Sequence, residues 1–183
     1  MSINYSVNHK KRIATYLLNV ATTVALLSIQ RVNAETISID SPLSLASSMT
    51  VLNEAIRSCA DKGYKVAVTV VDTDGVVKAQ VRGDSSPIHS QRFSFRKAYT
   101  IVSMGPEFGV DNSSALIKLL ANSAMGLSNI ASGSTDLLFL PGAVLIKSGN
   151  KAIGAIGVSG APLSSEDEVC AQAGVAKLAE LAR

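Results

Sequence analysis

The spacing of apolar residues divides the chain into helical and extended segments. From 43 to 62, apolar residues recur at intervals of four and three, which predicts a helix that Gly63 ends. Its apolar stripe is Leu45, Met49, Leu52, Ile56 and Cys59. The run 65–72 is mostly β-branched, and 76–82 follows it across an Asp-Thr-Asp-Gly turn. These two runs are predicted to pair as a β-hairpin.

The spacing of apolar residues in the second half of the chain predicts further helices and strands. The expected elements are helices at 89–104 and roughly 113–124, strands at 137–140, 144–147 and 151–158, and a final helix. Gly105-Pro106 is expected to end the first of these helices, and Ser165 and Glu168 form an S-x-x-E capping box before the last. Short turns between consecutive strands favour an antiparallel sheet with helices over its faces. The predicted class is therefore a layered α+β domain.

The amino-terminal stretch has the pattern of a signal peptide. Lys10, Lys11 and Arg12 precede the uncharged run 13–29, and Val32-Asn33-Ala34 resembles a cleavage site. Cleavage after Ala34 would leave one domain, residues 35–183, exported to the periplasm or secreted. The alternative is an uncleaved anchor, for which the apolar run lies at the short limit.

The charge balance changes once this segment is removed. The whole chain has 17 basic and 14 acidic residues, and four of the basic ones lie within residues 1–34. The remainder is close to neutral and has no clustered basic surface in its sequence, so we expect no nucleic-acid partner. We also expect no stable membrane span after processing.

The chain has two cysteines, Cys59 and Cys170, and no C-x-x-C or Cys/His motif for zinc or covalent haem. Two cysteines in an exported protein permit one disulfide, and each lies on or beside the apolar face of a terminal helix. A bond forms if both helices cover the same sheet face. The alternative is a pair of reduced, buried cysteines.

Three segments together resemble the GlcG/HbpS family of haem-binding proteins, which includes the PduO C-terminal domain. They are Pro87-Ile88-His89-Ser90 with Arg96-Lys97-Ala98-Tyr99-Thr100, then Leu140-Pro141-Gly142-Ala143-Val144, then the glycine-rich run 154–162. The resemblance implies a five-stranded antiparallel sheet flanked by helices, close to profilin-like folds, and a homo-oligomer. It also implies non-covalent binding of haem b or a related tetrapyrrole, for sensing, transport or sequestration.

His89 is the best candidate for an axial haem ligand, because it matches the family's histidine in position and is the one imidazole left after processing. Arg92 and Arg96 follow on the same helical side and suit the two propionates, and Phe93 suits the porphyrin edge. Tyr99 and Lys97 are alternative iron ligands, and Thr100 completes the matched segment. The plainer interpretation of His89 is a surface or capping residue beside solvated arginines.

Other features have simpler structural interpretations. The acids Glu166, Asp167 and Glu168 are explained by the dipole of the last helix. Gly154, Gly157 and Gly160 suggest close packing of a helix or a neighbouring subunit against the sheet. The helix at 89–104 is apolar on two sides, which is consistent with subunit contacts or with burial in the monomer. The competing functions are a small-molecule or haem-dependent redox enzyme and an oligomeric scaffold without ligand.

Overall fold

A computed structural model describes residues 43–122 and 134–181. It contains helices α1 (Leu45–Ala60), α2 (Ser90–Phe108), α3 (Ser113–Ala121) and α4 (Ser164–Leu181), and strands β1 (Ala67–Asp72), β2 (Val77–Arg82), β3 (Ala143–Ser148) and β4 (Lys151–Ser159). The predicted signal peptide, residues 1–34, lies outside the described residues. Over the described ranges, no helix is both long and apolar enough to cross a membrane.

The strands form one antiparallel sheet in the order β2-β1-β4-β3. The α+β class is confirmed, but the expectation of five strands is wrong for the described part of the chain, because 137–140 is irregular. Its polar backbone atoms have other partners: the Leu137 carbonyl accepts from Arg96, and the Leu138 amide donates to the Thr100 hydroxyl. Pro141, the next residue, has no amide N–H to donate to a neighbouring strand. The apolar pattern is strand-like, but the segment is tied to a helix.

Helices cover both faces of the sheet. The core between the sheet and the α1/α4 pair includes Val68, Val70, Ile156 and Val158. The core on the α2/α3 side includes Val71, Ala98, Ile101, Leu145 and Ala155. Because β1 is covered on both faces, its burial is continuous from Ala67 to Val71 rather than alternating.

Helices α1 and α4 pack closely, and this shifts the buried side of α1 from the predicted stripe. A Cβ at Gly174 of α4 would come within 3.3 Å of the Cβ of Ala55 in α1. The side that α1 buries is therefore rich in small residues, including Ser48 and Ala55, whereas Leu45 is 60% exposed. Cys59 and Cys170 form a disulfide with their Cα atoms 5.5 Å apart, which confirms the predicted pairing.

Helix α2 does not end at Gly105-Pro106, as the sequence predicted. It continues to Phe108 and ends at Gly109, which is left-handed with φ 65°. Pro106 lies in the last turn, so only one intrahelical hydrogen bond is lost. Near its start the helix lies directly on β4, since a Cβ at Gly157 would overlap the Ser94 carbonyl oxygen. This confirms close helix packing at the glycine-rich strand.

Candidate functional site

The residues before α2 fix the position of its first turn. The Gly83 amide donates to the Val66 carbonyl, which ties the end of the hairpin back to the sheet. The Ser90 hydroxyl donates to the Pro87 carbonyl at 2.7 Å. His89 lies between these points as the N-cap residue, is exposed, and makes no side-chain capping hydrogen bond. Its imidazole is therefore not used to cap the helix.

Three of the predicted haem-binding residues lie together at this end of α2. The rings of His89 and Phe93 have centroids 4.9 Å apart. The Arg96 guanidinium carbon lies 5.9 Å from the centroid of the Phe93 ring, within the usual range of a cation–π contact. We call His89, Phe93 and Arg96 the α2 cluster. It offers an imidazole, an aromatic face and a cation on one side of one helix.

Arg96 also holds the neighbouring chain segment. Its Nη2 donates to the Leu137 carbonyl at 2.6 Å. Thr100 extends this link, because its hydroxyl donates to the Arg96 carbonyl at 2.7 Å and accepts from the Leu138 amide at 2.8 Å. The Arg96 Nε is buried and has no hydrogen-bond partner in the described part of the chain. Such a donor is suited to an acidic ligand group, because an unmade buried hydrogen bond is costly.

The other predicted site residues lie elsewhere on α2. Arg92 is exposed on the first turns. Tyr99 lies on a different side, with its ring 5.7 Å from that of Phe95 and packed against the hairpin turn at Gly75. Thr100 is buried beneath the cluster, and Lys97 faces the inside of the domain.

Lys97 belongs to a buried ion pair. Its Nζ lies 2.8 Å from a carboxylate oxygen of Asp167 and donates to the Val158 carbonyl at 3.1 Å. The side chains of Lys97 and Asp167 are 1% and 3% exposed. The second carboxylate oxygen of Asp167 accepts from the Ala161 amide at 2.9 Å. This pair joins α2 to the end of β4 and the start of α4.

Glu168, the next residue, is buried as well and makes a second set of contacts. One of its carboxylate oxygens accepts from the Gly142 amide at 3.1 Å and from the Ser114 amide at 3.0 Å. The predicted capping box is therefore wrong, because this carboxylate reaches across to the loop before β3 and the start of α3. The helix dipole alone does not explain Asp167 and Glu168, because both are buried with specific partners.

Burial opposes the charged forms of the ion pair. Burial lowers the pKa of the Lys97 amine, and the nearby Asp167 carboxylate acts in the opposite direction. Burial raises the pKa of the Asp167 carboxyl, opposed by the charge and hydrogen bond of Lys97. Each partner is therefore costly to bury without the other.

The sequence contained one signal for this pair. Ser94 and Ile101 lie three residues before and four residues after Lys97, and all three are on the side of α2 that meets the sheet. A lysine at the centre of a buried helix side requires an opposite charge. Of the three adjacent acids near the start of the last helix, Asp167 is the one that meets it.

The antiparallel sheet with helices on both faces defines a class of layered α+β domains, and comparison with known proteins identifies the family. The model of the haem degrading protein HbpS-like family matches residues 43–176. The chain belongs to this family.

Solved structures agree with this assignment. HbpS is 30% identical with a TM-score of 0.65, covering 74% of this chain and 89% of that one. A double mutant of HbpS from Streptomyces reticuli has the same identity and TM-score, covering 74% of this chain and 86% of that one. A PduOC:heme complex is 20% identical with a TM-score of 0.66, covering 75% of this chain and 95% of that one, and supports the fold alone. No curated protein sequence matches the chain significantly.

Proposed function

We propose that this protein binds haem b or a related tetrapyrrole non-covalently, with the α2 cluster as its binding surface. The observation that carries the proposal is the convergence of His89, Phe93 and Arg96 at one end of α2. Membership of a family described by haem degradation, and a relative of similar fold solved with heme, support the same ligand.

Each residue of the cluster has a role that suits its chemistry. The His89 imidazole is exposed and is an ordinary haem-iron ligand. The Arg96 guanidinium has a buried Nε without a partner among the described residues, which suits a propionate. Phe93 offers an aromatic face between the two. Arg92, exposed one turn after His89, suits the second propionate.

The remaining candidates act differently in this proposal. The Lys97 amine is bonded to Asp167 and Val158, so the axial ligand is assigned to His89 rather than to Lys97. Thr100 supports Arg96 from below through its two hydrogen bonds. Tyr99 lies on another side of α2, against the hairpin, and we assign it to packing.

The proposal places the protein outside the cytoplasm as a homo-oligomer that senses, transports or sequesters haem. The amino-terminal sequence pattern and a disulfide between the two cysteines support an oxidising compartment.

The intact mass of the exported protein tests the processing, since we expect the mass of a chain that begins at Glu35. Light scattering at micromolar concentration tests the assembly, and a monomer would count against it.

The decisive experiment is a hemin titration of the purified protein, followed at the Soret band. We expect saturable binding, and His89→Ala should shift the Soret maximum and weaken the affinity. Glu107→Ala is the matched control, because this exposed residue lies at the far end of the same helix. If His89→Ala leaves both spectrum and affinity as in the parent protein, the iron is held elsewhere.

Haem breakdown is the second candidate function, because the family is described as haem degrading. Dioxygen and ascorbate supplied to the haem complex would serve as oxidant and reductant. Loss of the Soret band together with release of iron to a chelator would support this activity. A stable Soret band under these conditions would favour sequestration or transport.

A further inference from the structure

We propose that Asp167 and Glu168 are positioning residues that hold the two walls of the candidate haem site in register from the buried side of the domain. The first wall is α2, which carries the α2 cluster. The second is the 137–142 segment, whose start is bonded to Arg96 and Thr100. This inference rests on the proposed function only for its spectroscopic readout.

The two carboxylates hold different walls of the site. Asp167 bonds to Lys97 at 2.8 Å and so attaches α2 to the start of α4. Glu168 accepts a hydrogen bond from the Gly142 amide at 3.1 Å and so attaches the end of the 137–142 segment to the same turn of α4. Two adjacent residues of one helix therefore fix both walls, each through a directional, charge-assisted contact.

Holding α2 at Lys97 also fixes the position of His89, the candidate iron ligand, because the helix is stiff. Lys97 lies eight residues beyond His89, about 12 Å along the axis at the rise of an α-helix. Of the residues between them, Ser90 and Ser94 are buried, and Gly157 leaves no room for a Cβ beneath Ser94. A shift at Lys97 therefore moves His89 and Phe93 together.

The attachment of the 137–142 segment sets the orientation of Arg96. The Leu137 carbonyl accepts from the Arg96 guanidinium, and Gly142 ends the same segment with φ 126°. Substitution of Gly142 is strained at this φ, and its Cβ would lie 2.8 Å from the Lys97 amine. The end of the segment thus packs directly on the buried ion pair, where Gly142 donates its amide to Glu168 and accepts at its carbonyl from the Val158 amide of β4.

The test substitutes Glu168 by methionine and by glutamine. Both amides donate to the same carboxylate oxygen, so the single carbonyl oxygen of glutamine can accept both, whereas methionine accepts neither. We expect Glu168→Met to broaden or shift the ferric Soret band and to speed hemin release roughly tenfold or more, as outer-sphere changes at metal sites do. Glu168→Gln should restore the parent spectrum.

The matched control is Tyr64→Phe, which removes the 2.6 Å hydrogen bond to Glu166 at the same end of α4. This bond leads to the α1–β1 connection and reaches neither wall, so the haem spectrum should not change. If Glu168→Met folds by circular dichroism and keeps the parent spectrum and release rate, the proposal is overturned. It is also overturned if Tyr64→Phe changes the spectrum equally.

A second readout separates this proposal from the proposed function. Hydrogen exchange without hemin should show faster exchange of amides in the 137–142 segment in Glu168→Met, but not in Glu168→Gln. If the parent protein binds no hemin, the proposed function fails while this measurement still decides the positioning role. If Glu168→Met does not fold, Lys97→Met/Asp167→Asn provides the same comparison at α2, and unchanged exchange there overturns the proposal.

Discussion

Removal of the Cys59–Cys170 disulfide should destabilise the protein strongly. The bond joins residues 111 positions apart and closes most of the domain into one loop. In the chain-entropy model a loop of that length restricts the unfolded chain by about 16 cal/mol/K, or about 5 kcal/mol at 25 °C. Domains of this size are stable by only about 5–15 kcal/mol, so Cys59→Ala/Cys170→Ala should lose much of its free energy of unfolding.

Urea denaturation of the oxidised parent and the double variant measures this loss. Either single substitution opens the same bond, so each alone should cost nearly as much as both together. The m-value should rise in the variants, because an unfolded chain without the cross-link exposes more surface. A loss below about 1 kcal/mol, or single losses that add up to the double, would contradict the chain-entropy account of this bond.

Three further outcomes are expected. Lys97→Met should lower the free energy of unfolding by about 3–5 kcal/mol in urea denaturation, because it leaves the buried Asp167 carboxylate without a partner. Adding Asp167→Asn should recover at least half of that loss, and additive losses would contradict the pairing. Gly157→Ala should cost about 1–3 kcal/mol, since its Cβ overlaps α2, and an unchanged denaturation midpoint would show that α2 can move away. His89→Ala should leave the free energy of unfolding within about 0.5 kcal/mol while weakening hemin binding.

The elements that follow from local periodicity were predictable from the sequence. The β1–β2 hairpin has a β-branched first run and an Asp-Gly turn and was expected close to its observed bounds, and α4 was expected to begin near its observed start. The disulfide followed from the placement of both cysteines on terminal helices, although the sequence left the reduced alternative open. These features depend on residues near each other in the chain or on the order of layers.

The predictions that failed depend on distant partners. Residues 137–140 have the apolar pattern of a strand, but whether a strand forms depends on a free sheet edge, and here Arg96 and Thr100 bind the backbone instead. Pro106 was expected to end a helix that had room for one more turn. The buried side of α1 differs from the predicted apolar stripe because a glycine on α4 brings the two helices close together.

The acids at the start of α4 show why a correct local rule can miss a site. A carboxylate in the first turn of a helix is favoured by the dipole whether it faces solvent or the interior. What distinguishes Glu168 is the loop opposite, where the Gly142 amide is available to donate. That loop lies more than twenty residues earlier in the chain, so no sequence window around α4 contains the information.

The side of α2 that meets the sheet is polar where the site requires accurate placement. The Ser94 hydroxyl bonds to the Thr69 hydroxyl at 2.7 Å within the interior, and Lys97 bonds to Asp167 one turn later. Apolar packing tolerates small sliding of a helix, whereas such bonds have preferred distances and directions. The cost of burying these polar groups is consistent with a helix that must also present His89 and Arg96 in a fixed geometry. A protein that needed α2 only for its core would be expected to place apolar residues at those positions.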